Sequence, residues 1–406
     1  MARIVMKFGG TSVGDIDRIK NVARRVKAEV ERGNEVAVVV SAMSGVTNQL
    51  VDWCRQIAPL HDAREYDTVV ATGEQVTIGL LAIALQDLGV PARSWCGWQV
   101  PILTDDVHGK ARIASIDTEE MVRQMQGGEV AVVAGFQGLG PDRRITTLGR
   151  GGSDTSAVAV AAAVKADRCD IYTDVDGVYT TDPRIVKSAR KLDRITYEEM
   201  LELASVGAKV LQTRSVEMAM KHRVRVQVLS SFVDAPGTLV CDEDEIVEKE
   251  LVSGIAYSRD EAKITLVRVP DRPGIAAGIF GPLAEAAINV DMIVQNVSED
   301  GKSTDLTFTV GKADLERAKQ VIEEARAALS FERLAADPNV VKVSVIGVGM
   351  RSHAGIAQKM FHTLASEGIN IQVISTSEIK ISVLIEEKYT ELALRALHTA
   401  YDLDAA

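Results

Sequence analysis

The length, composition and charge of this chain exclude several classes of protein. Its 406 residues are more than one hydrophobic core usually serves, so two or three domains are expected. The net charge of −11 argues against nucleic acid or an anionic membrane as the main partner. The four cysteines form no Cys-x-x-Cys pair, which argues against structural zinc and a disulfide framework. No signal pattern and no apolar run of about 18 residues occurs, so we expect a cytoplasmic protein without a membrane segment.

The first informative segment is residues 4–12, with the sequence Ile-Val-Met-Lys-Phe-Gly-Gly-Thr-Ser. It predicts a buried strand that carries Lys7, followed by Gly9, Gly10 and a helix. Glycines between a strand and a helix let backbone N–H groups approach an anion, and the lysine adds a full charge. The segment therefore fits a phosphate site, although it is not a P-loop and a tight turn with a solvated lysine fits it equally well.

The first 240 residues alternate apolar strands with amphipathic helices. Buried strands are predicted at 36–40, 130–134 and 169–173, and helices at 17–32, 74–88, 117–126, 153–165 and 197–220. This alternation predicts an α/β fold, an open αβα sandwich with a mostly parallel central sheet. Ligands of such sheets bind at the carboxyl ends of the strands.

An acidic linker at 242–250 precedes an internal repeat. The segment that begins near Gly274 recurs near Gly355, at a constant offset of 81 residues, and each copy has a βαββαβ pattern. The first copy ends with a strand predicted near 331–343, whereas the second lacks its last strand, which the strand 252–257 could supply. The predicted domains are a catalytic domain at 1–245, a linker and completing strand at 246–263, and the two repeats at 264–341 and 342–406.

Three segments near the predicted strand ends carry polar groups. Ser41–Thr47 offers hydroxyls and backbone N–H groups, and Glu74 places a carboxylate at the start of a helix. In residues 147–156, glycines surround Arg150, and Ser153 and Asp154 open an alanine-rich helix. An arginine in this setting can bind a carboxylate through two hydrogen bonds. A capped turn and simple helix-dipole stabilisation remain alternatives for the first two segments.

A fourth segment, Thr173–Arg184, follows a strand and is rich in turn residues, with a tyrosine that could stack on a base. Lys209 is a second candidate phosphate contact, although an exposed helical lysine explains it almost as well. Together with Lys7, these residues suit phosphoryl transfer, in which catalysis is mainly positioning and charge neutralisation. Mg²⁺ would be carried mostly by the nucleotide, and we predict no metal site formed by protein side chains alone.

These motifs, in this order, resemble those of aspartate kinases, and the repeated tail resembles their tandem ACT domains. The resemblance implies the amino acid kinase fold followed by two ferredoxin-like βαββαβ ACT domains. It also implies transfer of the γ-phosphoryl group of MgATP to the side-chain carboxylate of L-aspartate, which gives 4-phospho-L-aspartate and ADP. This is the first step toward lysine, threonine, methionine and diaminopimelate.

The resemblance assigns roles residue by residue. Lys7 and Asp154 would be catalytic. Aspartate would be held by Ser41, Thr47, Glu74, Arg150 and Ser153. The nucleotide would be held by Lys7, Gly9, Gly10, Thr173, Asp174, Tyr179, Asp182, Arg184, Lys209 and Val210. No general base is needed, because the carboxylate of aspartate is already ionised at neutral pH.

The resemblance further implies feedback inhibition by an amino acid at the ACT pair. The effector pockets would be lined by Asp271, Gly274, Ala276, Asp291, Gln295, Asn370 and Ile371. Ala357 and Lys359 depart from the pattern of members inhibited by lysine plus threonine, and Lys359 would repel a lysine effector. Threonine is therefore favoured over lysine. We expect a homo-oligomer, at least a dimer through the ACT domains; a separate ACT-only subunit is left open.

Two other hypotheses remain at this stage. The chain could be an amino-acid sensor whose kinase domain no longer turns over, although the intact Lys7, Glu74, Arg150 and Asp154 argue against this. It could also be a related kinase for glutamate, acetylglutamate or a nucleoside monophosphate. The pairing of Glu74 with Arg150 favours an amino acid with a free ammonium group.

Overall fold

The computed structural model describes residues 1–207, 210–246, 251–297, 301–353 and 355–404. The described residues form two compact units. The first unit contains residues 1–178, 191–204 and 210–246. The second unit contains residues 179–190, 205–207 and those from 251 onward.

The first unit has twelve strands and eight α-helices among its described residues. The strands are β1 (Arg3–Phe8), β2 (Glu35–Val40), β3 (Ala92–Trp95), β4 (Ile102–Thr104), β5 (Ile113–Ile116), β6 (Val130–Ala134), β7 (Gln137–Leu139), β8 (Ile145–Thr147), β9 (Arg168–Thr173), β10 (Arg194–Thr196), β11 (Val226–Ser230) and β12 (Thr238–Cys241). The helices are α1 (Ile16–Glu31), α2 (Val46–Ile57), α3 (Ala63–Val70), α4 (Thr72–Asp87), α5 (Glu119–Gln126), α6 (Gly152–Ala163), α7 (Tyr197–Val206) and α8 (Thr213–His222).

The main sheet has the order β10-β12-β11-β9-β1-β2-β6-β3, and all its neighbours are parallel except β11 and β12. A smaller sheet has the order β5-β4-β7-β8. Alternate residues of β1, β2 and β6, including Met6, Val38 and Val132, form an apolar core with α1 and α4. The opposite face of β1 packs against α6, whose small residues permit close approach. The α/β class and the mostly parallel sheet are as predicted.

The strand register brings the ends of four strands to one edge of the main sheet. Phe8 lies opposite both Val40 and Tyr172, and Val40 lies opposite Ala134. The residues that follow β1, β2, β6 and β9 therefore leave the sheet at the same edge, where ligands of parallel sheets bind.

The helix predicted over 197–220 is two helices, α7 and α8. Gly207 has φ +118°, a conformation that is strained for any residue with a side chain, so the helix ends before it. The sequence pattern alone missed this interruption because apolar residues continue at helical spacing on both sides of it.

One stretch among the described residues, Ala63–Asp87, is long and apolar enough to span a membrane by length and composition. Half of its most apolar window is buried within the protein. This is the pattern of a core helix, and α4 indeed supplies Leu81 and Leu85 to the core of the first unit.

The second unit contains the repeat. Its strands are β13 (Gly254–Ser258), β14 (Ala262–Pro270), β15 (Val290–Val297), β16 (Ser303–Val310), β17 (Arg333–Asp337), β18 (Val340–Ile346), β19 (Val373–Thr376) and β20 (Lys380–Glu386). Its helices are α9 (Ile275–Glu285), α10 (Leu315–Glu324), α11 (Arg326–Leu329), α12 (Ile356–Ser366) and α13 (Thr390–Ala400). They form two antiparallel sheets with the orders β15-β16-β14-β17 and β13-β18-β20-β19.

The strand expected near 331–343 is divided between the two sheets. β17 pairs with β14, whereas β18 begins the second repeat. Pro338 lacks a backbone donor, and the carboxylate of Asp337 accepts the backbone N–H of Asn339 at 2.9 Å, which makes a turn between them. β13 pairs antiparallel with β18, so a strand before the first repeat supplies the fourth strand of the second sheet. The exact domain limits stay a prediction.

Residues 179–190 pack in the second unit, although they fall within the range predicted for the catalytic domain. The backbone N–H of Ile255 donates to the carbonyl of Thr180 at 2.7 Å. Val186 and Ala189 belong to the apolar core beneath β13, β18 and β20. This segment therefore links the first unit to the core of the second through the chain itself.

Candidate active site

Lys7 and Asp154 form a buried ion pair at the centre of the first unit. Lys7 lies on the face of β1 toward α6, and Asp154 lies in the first turn of α6. Lys7 Nζ is 2.5 Å from Asp154 Oδ1, and each side chain is only 11% exposed. The positive end of the helix dipole also favours a carboxylate at this position. A charged lysine is therefore held at the sheet edge where the strands end.

The two glycines after β1 allow the backbone to pass close to its neighbours. A Cβ on Gly10 would lie 3.0 Å from the carbonyl oxygen of Ala42, and one on Gly9 would lie 3.4 Å from Lys7 Nζ. A larger residue at either position would crowd the lysine or the turn after β2. The structure thus brings Lys7, Gly9 and Gly10 together, as the sequence predicts for a phosphate-binding turn.

Glu74 is a buried carboxylate beside the turn after β2. It lies in the first turn of α4, is 2% exposed and accepts the backbone N–H of Ala42 through Oε1 at 2.9 Å. Its Oε2 is buried and has no hydrogen-bond partner among the described residues. Burial raises the pKa of Glu74 to about 7, although the N–H of Ala42 acts in the opposite direction. Ser41 and Thr47, on the same turn and the following helix, are both half-buried.

Arg150 lies in a tight turn between β8 and α6. Gly149 and Gly151 both have positive φ, at +76° and +72°. A Cβ on Gly151 would overlap the side chain of Gln212, so this position requires glycine for space as well as conformation. Arg150 is exposed, whereas Ser153 is buried next to Gly135. The turn therefore exposes the guanidinium of Arg150 to solvent, just before the helix that carries the buried Asp154.

Asp67, which no sequence motif indicates, anchors this region. Asp67 is fully buried on α3 and accepts His108 Nδ1 at 2.7 Å, the N–H of Gly109 at 3.0 Å and the N–H of Thr147 at 3.1 Å. The hydroxyl of Thr147 also donates to it. Asp67 lies one helical turn before the buried Val70, which is a signal of burial, but nothing local in the sequence identifies its distant partners.

Arg214 on α8 supports the same region from the other side. Its guanidinium donates to the carbonyl of Leu148 at 2.9 Å and to that of Ala111 at 2.7 Å. Burial lowers the pKa of Arg214 from its usual value. Asp67 and Arg214 together hold both chain segments that lead into the Arg150 turn.

The residues predicted to bind the nucleotide are divided between the two units. Thr173 and Asp174 follow β9 in the first unit, and the hydroxyl of Thr173 donates to Asp174 at 3.1 Å. Asp182 and Arg184 lie in the second unit, where Arg184 Nη2 donates to Asp182 Oδ2 at 2.8 Å. This hydrogen bond lowers the pKa of Asp182.

Three further predicted nucleotide residues differ in what surrounds them. Tyr179 packs against the apolar core of the second unit. Val210 is half-buried in the first unit. Lys209 lies outside the described residues.

The predicted effector residues all lie in the second unit. Gln295 Nε2 is 3.5 Å from Asp271 Oδ1, and Gly274, with φ +90°, precedes α9 and the exposed Ala276. Asn370 and Ile371 lie in the second repeat, just before β19.

Asp291, which is predicted to line an effector pocket, already has a cationic partner within the second unit. Lys342 Nζ is 2.6 Å from Asp291 and 2.8 Å from Glu261. Partial burial alone would raise the pKa of Asp291, but Lys342 outweighs it and holds the pKa below its usual range. The ammonium group expected from an effector is thus supplied here by the chain itself.

Comparison with known proteins identifies the class to which this fold and lysine-centred site belong. Residues 2–230 match the model of the amino acid kinase family. Residues 263–327 and 343–401 each match an ACT domain model.

Relatives that align with the whole chain identify a narrower family within this class. The chain is 59% identical to an aspartate kinase of Stutzerimonas stutzeri over 406 residues, covering 100% of this chain and 98% of that protein. It resembles E. coli aspartokinase III solved with aspartate and ADP, with a TM-score of 0.82 and 28% identity over 98% of this chain and 99% of that one. For the complex of that enzyme with lysine and aspartate, the TM-score is 0.77 at 28% identity, over 98% of each chain. The chain therefore belongs to the aspartate kinases of the amino acid kinase family. This confirms the resemblance inferred from the motifs.

Replacement of Asp67 by alanine is expected to destabilise the first unit strongly. The change leaves several buried hydrogen-bond donors without an acceptor. We therefore expect the free energy of unfolding to fall by about 2 to 4 kcal/mol. Urea denaturation measures the free energy of unfolding of each variant. Asp52→Ala is the control, because that aspartate on α2 is 63% exposed and, among the described residues, pairs only with Arg55 at 4.0 Å. Equal unfolding midpoints for the two variants would contradict the anchoring role of Asp67.

Glu74 is expected to make the protein less stable as the pH rises. Its pKa is about 7 in the folded protein against 4.5 as the ordinary value, so the folded state binds the proton more tightly. The contribution of Glu74 to the free energy of unfolding therefore decreases as the pH rises from 4.5 to about 7, and it is fully lost above about pH 7. Glu74→Gln should remove this slope and be the more stable protein at pH 8, on the order of 3 kcal/mol at most. Parallel stability–pH curves of the two proteins would argue against a raised pKa.

Proposed function

We propose that Lys7, Asp154, Glu74 and Arg150 carry the reaction of this aspartate kinase, the transfer of the γ-phosphoryl group of ATP to the side-chain carboxylate of L-aspartate. The observation that carries the proposal is the 2.5 Å pair between Lys7 and Asp154 at the sheet edge. A buried ammonium with a single carboxylate partner is poised to neutralise charge on a phosphoryl group that arrives at this edge.

The substrate itself supplies the nucleophile. The side-chain carboxylate of aspartate is ionised at neutral pH, so no protein group has to remove a proton. The protein contributes position and charge: Lys7 lowers the repulsion between the two anions, and the N–H groups of Gly9 and Gly10 face the phosphoryl group. Asp154 holds Lys7 Nζ in place through their 2.5 Å contact.

Aspartate offers an ammonium and two carboxylates, and the candidate site offers groups that match them. The unpartnered Oε2 of Glu74 is a buried acceptor that suits the ammonium. The exposed guanidinium of Arg150 suits the α-carboxylate in a two-bond geometry. Ser41, Thr47 and Ser153 would add hydroxyl contacts. An ammonium next to Glu74 would restore the ionised form of this carboxylate, whose pKa burial has raised.

ATP is the phosphoryl donor in this proposal, and Mg²⁺ accompanies it. In the parts of the chain that the structure describes, no three histidine, cysteine or acidic side chains converge as a metal site. Asp154 is already neutralised by Lys7, so the donor set fits a metal ion held chiefly by nucleotide phosphates. Bound there, Mg²⁺ would neutralise phosphate charge. The other candidate nucleotide contacts remain Thr173, Asp174, Tyr179, Asp182, Arg184, Lys209 and Val210.

Regulation is proposed at the ACT pair of the second unit, with threonine as the favoured effector. Asp271 and Gln295, beside the exposed start of α9, supply side chains for an ammonium and a hydroxyl. Lys359 lies 3.5 Å from Asp402 and adds positive charge that disfavours a lysine effector. A homo-oligomer formed through the ACT domains and a cytoplasmic location remain parts of this proposal, and a separate ACT-only subunit stays open.

Lys7→Ala and Asp154→Asn are expected to reduce kcat by at least about 10³-fold, because the first removes the charge that stabilises the transferred group and the second removes the carboxylate that holds Lys7 in place. Thermal unfolding should still show a single folded protein. Coupled detection of ADP release measures the rate, with the exposed Lys20→Ala and Asp17→Asn on α1 as matched controls. Near-normal turnover in either test variant would remove that residue from the catalytic set.

Aspartate-dependent ADP release is expected to fall when threonine is added and to fall less with lysine. The assay compares the full-length protein alone, with each amino acid and with both. Asp271→Asn should relieve the threonine effect by at least about fivefold in the inhibition constant, since a charged hydrogen bond is lost. Glu285→Gln, an exposed position on the adjoining α9, is the control. Release without any suppression would keep the kinase and end the proposed regulation, whereas threonine binding without ADP release would favour a sensor.

A further inference from the structure

The segment 179–190 carries candidate nucleotide-binding residues but is built into the regulatory unit. It contains Tyr179, Asp182 and Arg184, and the residues on either side of it, Val178 and Lys191, belong to the first unit. A loop that contributes to nucleotide binding would ordinarily be supported by the nucleotide-binding domain. Here the support comes from the second ACT repeat.

A buried histidine contacts this segment through one ring nitrogen and, through the other, contacts an aspartate that itself binds the segment. His398, on α13, is fully buried. Its Nε2 lies 2.8 Å from Thr180 Oγ1, and its Nδ1 lies 3.0 Å from Asp404 Oδ1. The hydroxyl of Ser188 donates to the same Asp404 oxygen at 2.6 Å. We call Thr180, Ser188, His398 and Asp404 the histidine clamp.

The roles of donor and acceptor in the histidine clamp follow from the chemistry of its members. The ionised carboxylate of Asp404 can only accept, so Nδ1 of His398 donates to it. Nε2 of His398 pairs with the hydroxyl of Thr180, which can either donate to or accept from a ring nitrogen. The oxygen of that hydroxyl accepts the backbone N–H of Arg190 at 3.0 Å, which closes the far end of the segment. The hydroxyl of Ser188 and the ring of His398 hold the pKa of Asp404 below its usual range.

Backbone and apolar contacts reinforce the histidine clamp. Ala189 and Asp404 form a β-bridge, and Arg395 Nε donates to the carbonyl of Ile185 at 3.2 Å. Val186 packs in the apolar core of the second repeat together with residues of α13. The segment is thus held at both ends and along its middle by one regulatory repeat.

Local hydrogen bonds also connect residues within the part of the segment between these anchors. Asp182 accepts three hydrogen bonds from Arg184, one from its backbone and two from its guanidinium, at 2.8 to 3.0 Å. The hydroxyl of Tyr257 on β13 adds a weaker contact at 3.3 Å. These bonds connect Asp182 and Arg184 to each other, and the anchors at Thr180 and Ser188 lie on either side of them.

We propose that His398 and Asp404 are positioning residues for nucleotide binding: they hold segment 179–190, through Thr180 and Ser188, in the conformation that binds the nucleotide. The proposal rests on the assignment of this segment to ATP binding. It gives a chemical role to two residues of the second ACT repeat that no nucleotide motif contains.

The test compares Asp404→Asn and Thr180→Val with the unaltered full-length protein. Thr180→Val removes the hydroxyl that contacts His398, and Asp404→Asn removes the charge of the group that accepts from His398 and Ser188, both with little change in volume. We expect KM for MgATP and Kd for MgADP to rise by about 3- to 10-fold, as the loss of one buried hydrogen bond would cause. KM for aspartate and kcat at saturating MgATP should stay within about twofold. Calorimetric titration gives Kd, and steady-state kinetics give the other constants.

Three variants serve as controls. Asp402→Asn changes an aspartate two residues from Asp404 whose side chain is 90% exposed, and it should leave Kd for MgADP unchanged. Thr180→Ser keeps the hydroxyl and should bind MgADP nearly as well as the unaltered protein. The double variant Thr180→Val/Asp404→Asn should be little weaker than either single variant, because both act through His398.

Unaltered Kd for MgADP in folded Asp404→Asn and Thr180→Val proteins would overturn the proposal. A uniform loss in kcat and both KM values, with failure of Thr180→Ser to recover binding, would also overturn it, because it would indicate a merely structural role. Binding of MgADP requires no turnover, so the positioning role is tested even if aspartate is not phosphorylated. A protein that binds no MgADP at all would refute the assignment of the segment and this inference with it.

Discussion

The ion pair between Lys7 and Asp154 is the interaction on which the rest of the first unit depends. A buried ammonium is stable only where a carboxylate and polar groups compensate its lost hydration. Asp154 provides that compensation from the first turn of α6, and α6 can lie against β1 because its residues are small. The glycines that follow β1 and precede α6 leave room beside the pair. Parallel strands that end at one edge of the sheet then make this same point the place where a ligand is received.

Three buried carboxylates of the first unit show how the surroundings of an acid decide its use. Asp154 is neutralised by Lys7, and Asp67 is satisfied by four surrounding donors, so neither has binding capacity left for an additional cation. Glu74 has one backbone donor and one buried oxygen without a partner among the described residues, and its pKa is raised accordingly. An incompletely satisfied buried acid costs stability. A substrate ammonium would remove this cost, which is a physical reason to assign Glu74 to substrate recognition and Asp67 to support.

The sequence predicts the parts of this site that depend on local order. Lys7, Glu74 and Asp154 each lie next to a strand end or helix start, and parallel strands bring such positions together whatever the details of packing. Asp67 and His108, by contrast, are 41 residues apart, and Thr180 and His398 are 218 residues apart. Pairings of this kind follow from tertiary packing and have no periodic or motif signal. The same limit explains why segment 179–190 was expected in the catalytic domain, since its turn-rich sequence gives no sign of the apolar core into which it packs.

The allocation of segment 179–190 to the second unit has a consequence for regulation. The same repeat contains Asn370 and Ile371, the candidate effector residues before β19, and α13, which carries His398. β19 pairs with β20, and β20 pairs with β18, so the strand next to the candidate effector residues and the strands that cover the core beneath the segment belong to one hydrogen-bonded sheet. Packed interiors resist continuous deformation and favour discrete alternatives. On the assignments proposed above, an effector that stabilises one arrangement of this repeat would change the affinity for nucleotide through segment 179–190, and by linkage the nucleotide would change the affinity for the effector equally.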